Sequence, residues 1–295
     1  MIITAGEALV DLVPDPVPGG GPMNTAVACA RLGAPTAFLG AVSTDVHGDA
    51  IWAHLESSGV DLRLTQRRDE PTCRAEVVGD PPVFHFHSDG TADRFIERPD
   101  PSLLDGGPHL LHGGTLGIFR EPGASVIAKV AEEIEGIVSF DPNARPQIIE
   151  PLGRSAWDPW FDRWVAACSL FRGSDDDFAW IWPDREPADA AAELLDRGVV
   201  AVLITSSSSV TVVTAEGSAA VTVTPVPVAD TVGAGDSFCG GVLVALWERQ
   251  ILTPGALATV SLAEWREIVA FGIRVAGITV QRIGADPPRR SELPA

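Results

Sequence analysis

Short apolar runs alternate along this chain with longer segments in which hydrophobic residues recur every three or four positions. The first pattern is typical of buried strands and the second of amphipathic helices. Strands are predicted at residues 2–13 (interrupted near Gly6), 36–42, 109–114, 137–140, 169–172, 199–205 and 221–226. Helices are predicted at residues 45–58, 121–135, 148–164, 238–247 and 262–277. This alternation predicts an α/β fold with a central, mostly parallel sheet flanked by helices.

Residues 72–88 depart from that alternation. Two runs with period-two patterning, at 72–78 and 83–87, flank the turn-forming sequence Gly-Asp-Pro-Pro at 79–82. Such an arrangement predicts a β-hairpin set apart from the central sheet.

The composition and charge limit the classes of protein to which this chain can belong. With 45% hydrophobic and 21% charged residues and no repeat, the 295-residue chain is globular. A formal net charge of -19 disfavours nucleic acid and anionic membranes as partners. No apolar run approaches bilayer length, and the four cysteines lack metal-ligand spacing, which predicts a cytoplasmic protein with buried, reduced thiols.

Positive charge is scarce and comes almost entirely from arginine. Lys129 is the only lysine, and it follows no glycine-rich loop, so a Walker-type phosphate site is excluded. Any phosphate must therefore be bound by backbone N–H groups, arginine or a metal ion.

The sequence DTVGAGDSF at 230–238 joins a predicted strand to a predicted helix. Gly233, Ala234 and Gly235 allow close approach to the unpaired N–H groups of a first helical turn, where an anion binds. Asp236 beside an anion site is unexpected unless it takes a proton from an attacking hydroxyl. The alternative is an ordinary helix start, where small residues and Asp are common.

Three further groups of polar residues follow predicted strands, where ligands bind in open parallel sheets. Asp11 lies near the end of the first strand, and Asn24 lies in the first turn of the helix after Gly20 and Gly21. Arg145 belongs to the sequence DPNARP that follows residues 137–140. The alternatives are a turn residue for Asp11 and a surface ion pair for Arg145.

The glycine-Asp sequence at 230–238 resembles a signature of the ribokinase-like, or pfkB-type, carbohydrate kinases. Residues 19–33 resemble the other family signature, G-G-x-x-x-N-x-A-x-x-x-x-x-L-G, and DPNARP is similar to the fructokinase sequence D-P-N-x-R-P. The resemblance spans essentially the whole chain. It implies a ribokinase-like fold in which a small β-sheet forms a lid over the cleft.

The resemblance implies transfer of the γ-phosphoryl group of ATP to a primary hydroxyl of a sugar, fructose first, with Mg²⁺ bridging the phosphates. Asp236 would be the base, and Gly233, Ala234 and Gly235 would stabilise the transferring group. The sugar would be bound by Asp11, Gly20, Gly21 and Asn24, with Arg145 between the two substrates.

On the nucleotide side the sequence departs from the family. Ser174 and Asp177 stand where relatives have N-x-x-E, and Thr205 begins a loop in which Ser207 and Val210 replace the two glycines of T-x-G-x-x-G. The resemblance implies ATP contacts by Ser174, Asp177, Thr205, Ser207 and Gly235, with altered nucleotide affinity. It also implies a K⁺ site near Asp230, Val232 and Gly284.

Only a few proline-rich residues separate Asp11 from Gly19, whereas relatives have a longer insert there. We therefore expect one kinase domain over residues 1–295 with a reduced lid contributed mainly by 72–88, and a monomer or weak homodimer. Alternative acceptors are 2-keto-3-deoxygluconate, another ketose or a nucleoside. An alternative of another class is a sugar-binding regulatory protein with little turnover, which the changes at Ser207 and Val210 suggest.

Overall fold

A computed structural model describes residues 1–13, 15–78 and 83–293. The strands are β1 Ile2–Ala5, β2 Leu9–Val13, β3 Asp15–Gly19, β4 Thr36–Ser43, β5 Thr65–Arg68, β6 Cys73–Val78, β7 Val83–His87, β8 His109–Gly114, β9 Gly136–Asp141, β10 Leu170–Ser174, β11 Ala201–Thr205, β12 Ser209–Thr214 and β13 Gly217–Thr222. The α-helices are α1 Gly21–Arg31, α2 Val46–Ser57, α3 Gly123–Glu133, α4 Pro146–Leu152, α5 Arg154–Ala167, α6 Asp175–Ile181, α7 Pro187–Asp196, α8 Ala234–Glu248, α9 Pro254–Leu257 and α10 Leu262–Thr279.

The large sheet has nine strands in the order β13-β12-β11-β10-β9-β8-β1-β4-β5. The strands from β11 to β5 are parallel, and only β12 and β13 at one edge are antiparallel. The predicted α/β fold with a mostly parallel central sheet is confirmed. Because the parallel strands share one direction, their carboxyl ends form a single edge at which polar loops meet.

Both faces of this sheet are covered, since successive strand residues point to opposite sides. Ile2 and Leu110 belong to a core formed with α1, α8 and α10, whereas Ile3 and Leu111 belong to a core formed with α3, α5, α6 and α7. On the first face, a Cβ built on Gly241 of α8 would lie only 2.8 Å from the Cα of Gly272 in α10. This close approach fixes the position of α8 and therefore of its N-terminus.

A second, four-stranded sheet in the order β3-β2-β6-β7 forms the lid sheet. The prediction of one strand over residues 2–13 is wrong, because β1 ends at Ala5 in the large sheet and β2 begins at Leu9 in the lid sheet. Asp11 therefore lies in the lid sheet and not at the carboxyl end of a central strand.

Strand β3 was not expected from the proline-rich sequence. Pro16 and Pro18 are accommodated because β3 is an edge strand, where a missing N–H leaves no neighbouring strand unpaired. Residues 72–88 supply two of the four lid strands, β6 and β7. The predicted turn at 79–82 lies outside the described residues.

The predicted strand at 221–226 is also displaced. Strand β13 ends at Thr222 and lies at the antiparallel edge, and an irregular segment leads from there to α8. The glycine sequence thus follows a long loop and not a strand. Among the described helices, none is long and apolar enough to span a bilayer.

Candidate active site

The N-termini of α1 and α8 meet at the cleft. The side-chain amide of Asn24 donates to the Oδ2 atom of Asp236 at 2.8 Å. A Cβ built on Gly21 would lie 3.4 Å from Oδ1 of Asp236, 3.4 Å from Nδ2 of Asn143 and 2.5 Å from Oγ1 of Thr115. Four separate segments thus converge on one point, and Gly21 keeps that point open.

The electrostatic surroundings of Asp236 suit a base. Burial raises the pKa of Asp236 to about 6, the Asn24 hydrogen bond lowers it, Asp141 raises it, and Arg145 and Arg172 lower it. A carboxyl group with a pKa near 6 is ionised at neutral pH and is a better proton acceptor than an exposed Asp.

The backbone at the start of α8 has the geometry that the predicted anion site needs. Gly233 has a φ of 73°, and a Cβ there would lie 2.8 Å from the Cα of Ala285. Both observations require glycine. Within the described part of the chain, the N–H groups of Gly233 and Gly235 have no acceptor, whereas that of Ala234 donates to Thr231 O at 3.2 Å.

Arg172, from β10, is a site residue that the sequence analysis missed. Its guanidinium donates to Oδ2 of Asp141 at 2.8 Å and to Oγ1 of Thr205 at 2.6 Å. Both terminal nitrogens lie 3.1 Å from an ideal Cβ on Gly235. The sequence offered one signal for Arg172: it is an arginine within a predicted buried strand, in a chain that has only one lysine.

Thr115 and Asn143 were also missed. Both have positive φ angles, 54° for Thr115 and 38° for Asn143, and the Asn143 amide donates to Thr115 Oγ1 at 3.1 Å. A β-branched residue in this region is strained, and such strain clusters at functional sites. The two residues follow β8 and β9, so they lie at the sheet edge where polar groups were expected.

The predicted sugar-binding residues surround the same cleft. Gly20 has a φ of 115°, and a Cβ there would lie 2.7 Å from Glu7 O, which again requires glycine. Burial raises the pKa of Asp11 to about 6, Arg145 lowers it and Asp230 raises it. Asp11 thus lies in the lid sheet, with its carboxylate beside Gly19 and within electrostatic range of Arg145, although its strand was wrongly assigned.

Arg145 is held over the turn after β9. Its guanidinium donates to the backbone oxygens of Asn143 and Ala144 at 3.0 and 3.2 Å. It acts on the pKa of both Asp11 and Asp236, so its charge lies near each carboxylate. This location suits the predicted position between sugar and phosphate.

Ser174 and Asp177 form a capping box at the start of α6. Oδ2 of Asp177 accepts from Ser174 N at 2.9 Å and from Ser174 Oγ at 2.6 Å, and Oδ1 accepts from Ala144 N at 2.7 Å. The carboxylate therefore caps α6 and anchors it to the turn after β9.

The serine-rich loop between β11 and β12 is a tight turn. Ser206 Oγ accepts from Ser208 N and Ser209 N, and Ser207 is exposed. Val210 pairs with Thr205 and is 3% exposed, with its side chain in the core under α8 and α10. The Val210 side chain is thus directed into the core.

The loop before α8 is fastened to the loop after α10. The Asp230 carboxylate accepts from Val232 N at 3.0 Å and from Gly284 N at 2.8 Å. The structure brings together all three residues of the predicted cation site.

The family model of the pfkB carbohydrate kinases matches residues 15–292. The chain therefore belongs to the pfkB family, and it is an ATP-dependent sugar kinase. A fructokinase of Rhizobium leguminosarum bv. trifolii is 31% identical over 274 residues, which cover 88% of this chain and 83% of the relative. Among its relatives the chain is fructokinase-like.

Solved structures agree with this assignment. A fructokinase of Xylella fastidiosa with bound ATP superimposes with a TM-score of 0.89 at 23% identity, covering 99% of this chain and 94% of the other, and shows the same fold. A double mutant of the Vibrio cholerae O395 fructokinase, with fructose, ADP and a potassium ion bound, gives a TM-score of 0.81 at 25% identity, covering 96% of this chain and 93% of the other.

Proposed function

We propose that this protein transfers the γ-phosphoryl group of ATP to a primary hydroxyl of fructose. The observation that carries the proposal is the placement of the partly buried Asp236 carboxylate, held by Asn24, at the same helix start as the unpaired N–H groups of Gly233 and Gly235. The fructokinases among its relatives support fructose as the acceptor.

The reaction uses one base and one anion site. The sugar hydroxyl oxygen forms a bond to the γ-phosphorus, the bond from that phosphorus to the β–γ bridging oxygen breaks, and ADP leaves with the electron pair. Asp236 accepts the hydroxyl proton. Because the transition state is loose, the proton is lost late, and orienting the hydroxyl matters more than basicity.

The chain's other residues bind and orient the substrates. Asn24 holds the Asp236 carboxylate, and Asp11 accepts hydrogen bonds from the sugar across the cleft from the lid sheet. Arg145, between the two carboxylates, approaches the transferring phosphate. N–H donors at Gly233 and Gly235 stabilise the charge on that group.

Mg²⁺ on the nucleotide phosphates would neutralise their charge. Both carboxylate oxygens of Asp177 and of Asp141 already accept hydrogen bonds from protein groups. Mg²⁺ keeps several waters and binds substrate phosphates readily, so these carboxylates fit contacts through metal-bound water. Among the described residues, no three His, Cys, Asp or Glu side chains form a metal-binding group.

A monovalent cation near Asp230, Val232 and Gly284 is part of the proposal, with backbone oxygens as its ligands. The hydrogen bonds that fasten these two loops support it, because the cation would lie beside the start of α8. The whole chain is proposed to act as one kinase domain.

The test is ADP release from MgATP over a panel of ketoses, aldoses, ketodeoxy acids and nucleosides. Wild type is compared with Asp236→Ala and with the control Asp196→Ala, which changes an exposed carboxylate at the end of α7. Fructose-dependent turnover that only Asp236→Ala loses supports the proposal. Turnover with another acceptor would replace fructose as the proposed substrate. If wild type binds sugar without any turnover, the proposal is overturned in favour of a sugar-binding regulatory protein.

A further inference from the structure

We propose that Arg172 is a positioning residue for phosphoryl transfer, holding the glycine turn of residues 233–235 and placing a fixed positive charge against it. The inference deepens the proposed kinase function and rests on it. It assigns a role in the reaction to a residue that lies outside the two glycine signatures.

The first argument is the contact with Gly235. Both terminal nitrogens of Arg172 lie 3.1 Å from an ideal Cβ on Gly235, and its Cζ lies 3.3 Å away. Unlike Gly233, Gly235 has no left-handed φ, so its backbone conformation does not demand glycine. The guanidinium occupies the space that a side chain would need. A side chain at 235 would crowd Arg172, which would have to shift by a few tenths of an ångström, and it would also crowd an approaching phosphate.

The second argument is the way in which the guanidinium is held. Asp141 from β9 and Thr205 from β11 accept from different terminal nitrogens, at 2.8 and 2.6 Å. Arg172 thus joins three neighbouring strands at their carboxyl ends. The planar fork of arginine suits this task, whereas a lysine ammonium has no fixed fork. The charge is consequently held in one place.

The third argument is an unsatisfied donor. Arg172 is 8% exposed, and its Nε is buried without an acceptor among the described residues. An unpartnered buried donor is costly, and such groups call for a functional explanation. A cation placed for its charge at a phosphate site supplies one.

The fourth argument is the shortage of other cations. Lys129 pairs with Glu132 and Glu133 on α3. The cations that lower the pKa of Asp236 are Arg145 and Arg172, beside the hydrogen bond from Asn24. Since Arg172 is the buried one, its charge is less screened by water.

The first experiment compares Arg172→Gln, Arg172→Lys and the control Arg163→Gln. Arg163 pairs with Glu132 beside Gly136, at the opposite end of the parallel strands. Arg172→Gln is expected to lower kcat about 100-fold, as for loss of one transition-state contact, while KM for sugar and MgATP changes less than about threefold. Arg172→Lys is expected to recover part of kcat, and Arg163→Gln is expected to match wild type.

The second readout is the acid limb of kcat/KM against pH. The groups that face Asp236 are Asn24 from α1, Asp141 from β9, Arg145 from the turn before α4 and Arg172 from β10. Removing a cation raises the pKa of Asp236, and removing an anion lowers it. The limb is therefore expected to move to higher pH in Arg172→Gln and to lower pH in Asp141→Asn. A purely structural role moves neither.

The third readout needs no acceptor. Wild type is expected to bind MgADP with aluminium fluoride, a mimic of the transferring phosphoryl group, at least about tenfold more tightly than MgADP alone. Arg172→Gln is expected to lose that difference while its affinity for MgADP stays the same. If wild type phosphorylates no acceptor, the kinase proposal fails, and this binding difference still decides the role of Arg172.

The proposal is overturned if folded Arg172→Gln keeps kcat within about threefold of wild type. It is also overturned if activity and melting temperature fall together in both Arg172 variants with the acid limb unmoved. If Arg172→Gln weakens the binding of MgADP alone and of MgADP with aluminium fluoride by the same factor, Arg172 contributes to fold stability alone.

Discussion

The amide of Asn24 and the carboxylate of Asp236 lie 2.8 Å apart although 212 positions separate them in the chain. Each residue lies in the first turn of its helix, α1 or α8, and the two helices pack together in the core on one face of the large sheet. Buried Thr25 reinforces the junction, since its hydroxyl lies within hydrogen-bond distance of Gly21 O and Asp236 O. The first turns of α1 and α8, which carry the proposed sugar-binding and base residues, are thus joined by side-chain hydrogen bonds.

Asn24→Ala is expected to raise the pKa of Asp236 above about 6, because a hydrogen bond to the charged form is lost. The acid limb of kcat/KM should move to higher pH, and kcat should fall about 10- to 100-fold. A pH–rate profile at saturating MgATP checks this. If the acid limb of Asn24→Ala lies at the same pH as that of wild type, Asn24 does not orient Asp236.

Asp236→Asn is expected to abolish activity and to stabilise the fold at neutral pH. The folded pKa of about 6 exceeds the ordinary aspartate value of 3.8, so ionisation costs the folded state free energy above pH 3.8, and the cost levels off above pH 6. The free energy of unfolding should rise by about 1 to 3 kcal/mol at pH 8, and by less at pH 5. Urea unfolding of wild type and variant at pH 5 and pH 8 measures this change. Greater stabilisation at pH 5 than at pH 8 would contradict the prediction.

Gly233→Ala is expected to lower kcat at least about 100-fold and to destabilise the loop, because φ is 73° and the new methyl meets Ala285. The matched control is Gly277→Ala in α10, where a Cβ meets nothing within 4 Å. That control should be neutral or stabilise by about 0.5 to 1 kcal/mol. Kinetics and melting temperature measure both; an active Gly233→Ala would exclude the turn from catalysis.

Val210→Gly restores the family glycine but should not improve nucleotide binding, because Val210 is buried in the core. We expect a loss of about 2 to 3 kcal/mol of stability and an unchanged KM for MgATP. Val228→Gly is the control, since Val228 is 62% exposed. A lower KM for MgATP in Val210→Gly would show that the valine obstructs the nucleotide.

Asp230→Ala is expected to release the loop of residues 229–233 from Gly284 and to remove any stimulation by K⁺. Activity of wild type in K⁺ should exceed that in a bulky organic cation, and the variant should show no difference. Asp196→Ala serves again as the control. Equal wild-type activity in both cations would remove the cation from the mechanism.

Local patterns in the sequence determined much of this protein. The helix that begins after Gly233 and the strand at 36–42 both depend on residues close together in the chain. The same holds for Asn24 and Arg145, which follow recognisable turn and helix-start sequences. Two separated signatures were enough for the family and for the fold class.

Only the tertiary structure decided how distant segments pair. Residues 9–13 join the lid sheet by pairing with β6, and residues 15–19 join it by pairing with β2, which no pattern within those residues records. Arg172 becomes a site residue because β9 and β11 lie beside β10, so that Asp141 and Thr205 compensate a charge that burial alone would exclude. Hydrophobic periodicity specifies which side chains are buried, whereas partners far apart in sequence are set by the order and register of strands.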